Sequence, residues 1–121
     1  MITRFSVPNL HECSIHLSKV ASKKIEPDMV LFNARILSTY TERIHSKKEI
    51  WISKGRIVCV EDNGTAKKSF NDINFYDVNN NILAPGLIDP HMHIESSMMT
   101  ACSYSEAALL NGTTTLFCDS H

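Results

Sequence analysis

The chain has 121 residues, 43% of them hydrophobic and 21% charged, and a formal net charge of -1. This length suits one small domain with its own core, and the near-neutral charge argues against nucleic acid or an anionic membrane as a partner. Residues 29–32, the longest apolar stretch near the front, are too few to span a bilayer, and residues 1–6 lack the apolar core of a signal peptide. Four cysteines without a C-x-x-C pair favour reduced thiols in a cytoplasm.

The N-terminal part of the chain is predicted to be one helix over residues 8–21. Pro8 suits its first turn, and apolar residues recur at helical spacing. His11 and His16 lie on this helix, and we expect both to be solvated. A polar connector follows, and it ends at Pro27.

From residue 28 the pattern becomes that of short strands. Alternating or β-branched runs predict strands over 29–37, 49–53, 56–60 and 75–78, and Lys54-Gly55 predicts a two-residue hairpin turn. Residues 40–48 are mostly polar and are predicted to form a loop that carries a solvated His45. The pattern indicates a small antiparallel β unit in which each strand buries one face.

The last third of the chain is predicted to be a strand–helix–strand unit. Residues 87–93 read as a strand, Ser103-x-x-Glu106 as a capping box that opens a helix, and Asn111-Gly112 as its C-terminal stop. Residues 113–118 are β-branched and apolar, as in a strand buried on both faces. A parallel pair with a right-handed crossover is expected.

Two histidines stand at the end of the first of these strands. Residues two apart on a strand project from the same face, so His91 and His93 are expected to point the same way. Two imidazoles on one rigid face each need a hydrogen bond or a metal, and this spacing favours metal binding. Asp89 lies on the same face, either to orient a ligand or as a capping residue, and Glu95 would join them if the strand continued.

The run from Pro85 to His93 resembles the Pro-Gly-x-x-Asp-x-His-x-His signature of the amidohydrolase superfamily, and Ile94-Glu95-Ser96-Ser97-Met98 is similar to its adenine deaminase branch. The resemblance implies an α/β fold: the N-terminal part of a (β/α)8 TIM-like barrel, preceded by a small antiparallel β-sandwich half-domain and an N-terminal helix. The implied divisions are 1–27 for the helix and connector, 28–84 for the half-domain and 85–121 for the first βαβ unit. Because such a barrel needs about 250 residues, the chain is expected to be an N-terminal fragment.

The resemblance also implies a reaction. Hydroxide generated at divalent metal ions, two of them and either Mn, Fe or Zn, would attack C6 of adenine and release ammonia and hypoxanthine. His91 and His93 would bind metal. Glu95 would shape the purine pocket or orient a ligand, against the alternative of an exposed loop carboxylate. His121 becomes a candidate catalytic residue, although Ser120 stands where the branch usually has proline and the chain stops before the expected glutamate.

Two other interpretations stay open at this stage. The protein could be another amidohydrolase that acts on cyclic amides, with the identity of the bridging metal ligand deciding between them. The chain could instead be an inert truncated gene product. The expected partner is a small purine, adenine, with no nucleic acid and no membrane, and the resemblance allows a homo-oligomer.

Overall fold

The structure is a computed structural model that describes residues 7–120. The chain divides into two compact units, with unit 1 ending at Ala84 and unit 2 beginning at Pro85. Among the described helices, the longest of which has 12 residues, none has the length and apolar character needed to traverse a bilayer.

Over residues 7–84, unit 1 consists of a mixed sheet and two helices. Its strands lie in the order β3-β2-β1-β4, and β5 also pairs with β1. In chain order the elements are α1 (Leu10–Ala21), β1 (Met29–Ser38), β2 (Arg43–Ser53), β3 (Arg56–Asp62), α2 (Thr65–Ser69), β4 (Phe75–Asp77) and β5 (Ile82–Leu83).

The predicted hairpin between β2 and β3 is confirmed. Lys54 and Gly55 both have positive φ, at 53° and 69°, and Ser53 pairs with Arg56 across the turn. Two positive φ angles match the right-handed twist of antiparallel strands.

The prediction of a wholly antiparallel unit is wrong, because β4 and β5 run parallel to β1. The chain leaves β3, passes through α2 and returns on the far side of β1. A connection through a helix brings the chain back in the same direction, which a tight hairpin cannot do. The helix α2 was not predicted.

The predicted loop over residues 40–48 is also wrong in its second half, because β2 already begins at Arg43. Cross-strand pairing to β1 outweighs the polar composition here, and His45 lies opposite Ile36. His45 is half-buried, with its Nε2 atom 3.0 Å from Thr41 Oγ1, so it is not fully solvated.

The helix α1 starts at Leu10, two residues later than predicted, with Asn9 as its N-cap. His11 is exposed as expected, with 80% of its side chain accessible. The expectation that His16 is solvated is wrong. Its Nε2 atom lies 3.0 Å from Oγ of the fully buried Ser53, and that hydroxyl donates to Asp28 over 3.1 Å.

The core of unit 1 lies where α1 and α2 meet the sheet. Trp51 is fully buried at its centre, and its ring meets that of Phe70 edge-on with centroids 5.6 Å apart. Three aliphatic side chains are also fully buried against it: Val20, Val30 and Ala66.

Unit 2 is the predicted strand–helix–strand motif. It contains β6 (Leu87–Met92), a 3-10 helix (Ile94–Ser97), α3 (Ala101–Leu110) and β7 (Thr113–Cys118), and β6 and β7 pair in parallel. The predicted capping box at Ser103 is wrong, because α3 begins earlier. Thr100 is its N-cap, and Thr100 Oγ1 accepts the Ser103 N–H over 3.3 Å.

No described residue of unit 2 is buried. The prediction that residues 113–118 are buried on both faces is therefore wrong for this chain, in which Phe117 is 60% exposed. Two strands and one helix are too few elements to enclose a sheet.

Candidate metal centre

The candidate site lies at the carboxyl end of β6. His91 is the penultimate residue of that strand. His93 is the first residue after the strand, and its backbone is still extended, at φ -119° and ψ 101°. His91 is exposed and His93 is half-buried. The carboxyl ends of parallel strands are where α/β proteins place their ligands.

The predicted convergence of the two imidazoles is present in the structure. The Nε2 atoms of His91 and His93 lie 3.1 Å apart, and the ring planes are inclined at 81° with centroids 4.9 Å apart. Alternation along the strand accounts for the shared side, since residues two apart leave the same face.

The contact made by Nδ1 of His93 shows which of its two ring nitrogens carries the hydrogen. Nδ1 of His93 lies 2.7 Å from the backbone carbonyl oxygen of Asp119. A carbonyl can only accept, so Nδ1 carries the hydrogen and Nε2 of the neutral ring carries a lone pair. At 3.1 Å from His93 Nε2, His91 Nε2 is then the donor of this pair.

The donor set fits a metal ion. Two nitrogens bound to one tetrahedral ion at about 2.0–2.1 Å lie roughly 3.3 Å from each other. The observed 3.1 Å is close to that separation. An ion would take the place of the hydrogen between the two nitrogens, and the Asp119 carbonyl already holds His93 in the required tautomer.

Two ligands do not complete a coordination shell. Among residues 7–120, no three His, Cys, Asp or Glu side chains cluster in a way that could hold a metal ion. A catalytic zinc site commonly has three protein ligands and a water. Among the described residues, His91 and His93 are therefore two candidate ligands, fewer than such a site needs.

Asp89 acts on the backbone next to this pair. Its Oδ1 atom accepts the backbone N–H of His91 over 3.2 Å, and its side chain is half-buried. Asp89 therefore caps the backbone of His91, one of the two candidate ligands.

Glu95 is placed by a turn and not by the strand. Since β6 ends at Met92, strand alternation does not extend to Glu95, which lies exposed in the 3-10 helix. Its predicted catalytic role stays a prediction.

At the end of β7, the structure describes Asp119 and Ser120, both exposed, whereas His121 lies outside the described residues. The contribution of Asp119 is its backbone carbonyl, which sequence reasoning missed. Every residue type has a backbone carbonyl, so the sequence does not indicate which one accepts this hydrogen bond. Only the pairing of β6 with β7 identifies it as the carbonyl of Asp119.

Comparison with known proteins identifies the relatives of this chain. No family model matches it. Over 99% of its length it is 55% identical to adenine deaminase 2 of Bradyrhizobium sp. (strain ORS 278) and 58% identical to adenine deaminase of Chelativorans sp. (strain BNC1). Over its full length it is 33% identical to adenine deaminase of Clostridium botulinum (strain ATCC 19397 / Type A). It spans 20% of the length of each of these relatives.

Solved structures show the same fold. The chain matches molinate hydrolase with a TM-score of 0.54 at 17% identity, over 76% of this chain and 24% of that one. It matches an amidohydrolase with a TM-score of 0.52 at 21% identity, over 73% of this chain and 24% of that one. Over nearly its whole length the chain is thus similar to proteins named adenine deaminase, of whose length it spans 20%.

Proposed function

We propose that the protein carrying this chain hydrolyses adenine to hypoxanthine and ammonia, with His91 and His93 as ligands of a catalytic divalent metal ion. The observation that carries the proposal is the convergence of the two Nε2 atoms to 3.1 Å, with the tautomer of His93 held by Asp119. The relatives named adenine deaminase support the choice of substrate.

The reaction replaces the amino group on C6 of adenine by oxygen from water, and the nitrogen leaves as ammonia. A bound divalent ion would supply Lewis-acid chemistry, lowering the pKa of water from about 15.7 towards roughly 7. The chain itself brings the two imidazoles together. The bond from His93 Nδ1 to the Asp119 carbonyl orients the ring, so that Nε2 would be the atom of His93 that holds the ion.

The finer assignments belong to the same proposal. The centre would hold two divalent ions drawn from Mn, Fe or Zn, since imidazole is a common ligand for transition metals. Glu95 would shape the purine pocket or orient a metal ligand, and His121 would be an active-site residue. The first βαβ unit of a (β/α)8 barrel would supply the scaffold, because barrel enzymes place their chemistry at the carboxyl ends of the strands.

The test compares three histidine variants of the whole protein that carries this chain. His91→Ala and His93→Ala are each expected to lose bound metal and to release ammonia from adenine more than about 100-fold more slowly. His45→Ala is the matched control, since His45 lies on β2 in unit 1 and bonds to Thr41. Metal content is measured by elemental analysis. Full metal loading and near-normal rates in both motif variants would refute the proposal.

A further inference from the structure

The end of β6 carries an irregularity in its pairing with β7. Asp89 lies opposite Leu116 and Met92 lies opposite Cys118, with a register shift between them. Three steps along β6 therefore match two steps along β7, so β6 contains one extra residue at this point. An extra residue in one strand is a β-bulge, which bends the strand and re-aims side chains next to active sites.

The bulge leaves backbone groups without their regular ladder partners. Pro90 lies inside it and has no N–H to donate. The N–H of His91 bonds to the Asp89 carboxylate over 3.2 Å. The side chain of Asp89 thus takes the position that a β7 carbonyl would hold in a regular ladder, and it stabilises the chain in its bulged path.

Pairing resumes directly after the bulge. The N–H of Asp119 donates to the Met92 carbonyl over 3.1 Å, and the Asp119 carbonyl accepts from His93 Nδ1 over 2.7 Å. His93 is therefore held by β7, whereas the backbone of His91 lies in the bulge of β6. The Cα atoms of residues two apart in a regular strand are about 6.6 Å from each other, and the path of the backbone at His91 sets where its ring starts towards the His93 ring, whose Nε2 atom lies 3.1 Å from its own.

We propose that Asp89 is the positioning residue of the histidine pair. By accepting the His91 N–H, its carboxylate holds the bulge that brings the His91 ring to the ring of His93. The inference rests on the proposed metal-binding function only for the identity of the ligand that the pair takes. It assigns Asp89 a role through the backbone of His91, and not as a ligand.

The test uses metal-free whole protein and two variants of Asp89. Asp89→Ala removes the acceptor, so Zn²⁺ and Mn²⁺ affinities measured by titration should fall about 10- to 100-fold, as for other groups that orient metal ligands. Asp89→Asn keeps an oxygen acceptor of the same shape, so its affinity should stay within about threefold of the unaltered protein.

A second measurement does not depend on metal. Amide hydrogen exchange of residues 89–93 in the metal-free protein should accelerate in Asp89→Ala, because the His91 N–H loses its acceptor, and should change little in Asp89→Asn. Asp77→Ala is the matched control. Asp77 accepts the Asn79 N–H over 2.7 Å in the same two-residue arrangement, but in unit 1. It should leave metal affinity and exchange at residues 89–93 unchanged.

Each outcome bears on the inference. Unchanged affinity and unchanged exchange in Asp89→Ala would overturn it. If Asp89→Asn binds metal as poorly as Asp89→Ala, the charge of the carboxylate or direct ligation is what matters, and the inference also fails. If Asp89→Ala does not fold, Asp89→Asn is the deciding variant. Metal affinity and amide exchange close to those of the unaltered protein support the inference, and a loss of metal affinity overturns it. If the unaltered protein binds no metal through His91 and His93, the proposed function fails, while the exchange measurement still tests the role of Asp89.

Discussion

Glu49 on β2 is a fully buried carboxylate, and three donors surround it. Its Oε1 atom accepts from the Trp51 indole N–H over 2.8 Å and from the Ala66 N–H over 2.7 Å, and its Oε2 atom accepts from the Gly64 N–H over 2.7 Å. Two of these donors lie at the start of α2, where helix N–H groups lack intrahelical partners. Glu49 therefore joins β2 to α2, and Trp51 takes part in the same network.

Replacing Glu49 by glutamine is expected to destabilise unit 1 by about 2–3 kcal/mol. The amide NH₂ of glutamine cannot accept, so at least one of the three donors would face another donor in a buried site. The measurement is equilibrium unfolding in denaturant followed by the fluorescence of Trp51, the only tryptophan of the chain. Glu26→Gln, at an exposed carboxylate, is the control. A loss below about 0.5 kcal/mol for Glu49→Gln would contradict the network.

Cys59 lies beside this network, opposite Trp51 in the pairing of β2 with β3. Burial raises the pKa of its thiol from 9.0 to about 11, and the negative charges of Glu61 and Glu49 add to the effect while Lys23 opposes it. The folded chain thus holds the thiol proton more tightly than the unfolded chain does. This contribution to stability is complete below pH 9 and is lost as the pH rises towards about 11.

Between pH 9 and about 11, the free energy of unfolding should fall more steeply in the unaltered chain than in Cys59→Ala. Other groups also titrate in this range, so the informative quantity is the difference between the two curves. Both curves are measured by Trp51 fluorescence during unfolding in denaturant at several pH values. Cys102→Ala, at an exposed thiol, is the control. Parallel curves for the chain and Cys59→Ala would show that the thiol does not couple to folding.

At the scale of elements, the pairing of β6 with β7 depends on a close approach at Gly86. A Cβ atom on Gly86 would overlap Oγ1 and Cγ2 of Thr114 and would lie 2.7 Å from the Thr114 Cβ atom. The strands come this close because the Leu87 N–H donates to the Gly112 carbonyl over 2.9 Å and the register shifts past Thr114. Threonine is β-branched, so a rotamer change does not clear the space.

Gly86→Ala is therefore expected to weaken the β6–β7 pairing by about 1–3 kcal/mol, the usual cost of overpacking. Amide hydrogen exchange of residues 113–118 measures this loss of pairing. Gly112→Ala serves as a comparison, since a Cβ there meets open space but φ is +86°, and its cost should be about 1 kcal/mol. Thr114→Gly added to Gly86→Ala should restore protection. Failure of that rescue would mean that sterics at Thr114 are not the cause.

At the scale of the molecule, the two units differ in what they bury. Unit 1 has a core around Trp51, whereas in unit 2 no described residue is buried and Leu110 and Met98 are 89% and 97% exposed. Apolar surface of this extent normally lies against further protein. The chain spans 20% of the length of its curated relatives, so they contain far more protein than these two units.

The 121-residue chain by itself is expected to release no ammonia from adenine above a blank that contains metal alone. The reason is that the described residues bring together only two of the proposed metal ligands, His91 and His93, and two ligands leave the proposed coordination shell incomplete. The assay is coupled ammonia detection at saturating Mn²⁺ or Zn²⁺, with the whole protein as the positive control. Turnover by the chain that disappears in His91→Ala would contradict this prediction.

Much of the fold followed from local sequence. The Lys54-Gly55 turn, the apolar spacing of α1 and the strand β6 depend on backbone preferences and side-chain periodicity within a few residues. That His91 and His93 lie on one side of the chain could be predicted for the same reason, since residues two apart in an extended chain leave the same face.

Tertiary structure decided the features that join distant segments. The parallel pairing of β4 and β5 with β1, the burial of Glu49 and the bond from His16 to Ser53 each need a partner far away in the chain. A polar residue is predicted from sequence to be exposed to solvent, because the donors and acceptors that satisfy it when buried are distant in the chain. The same holds at the site, where the carbonyl that orients His93 belongs to Asp119, 26 residues away, and comes within 2.7 Å only because β7 pairs with β6.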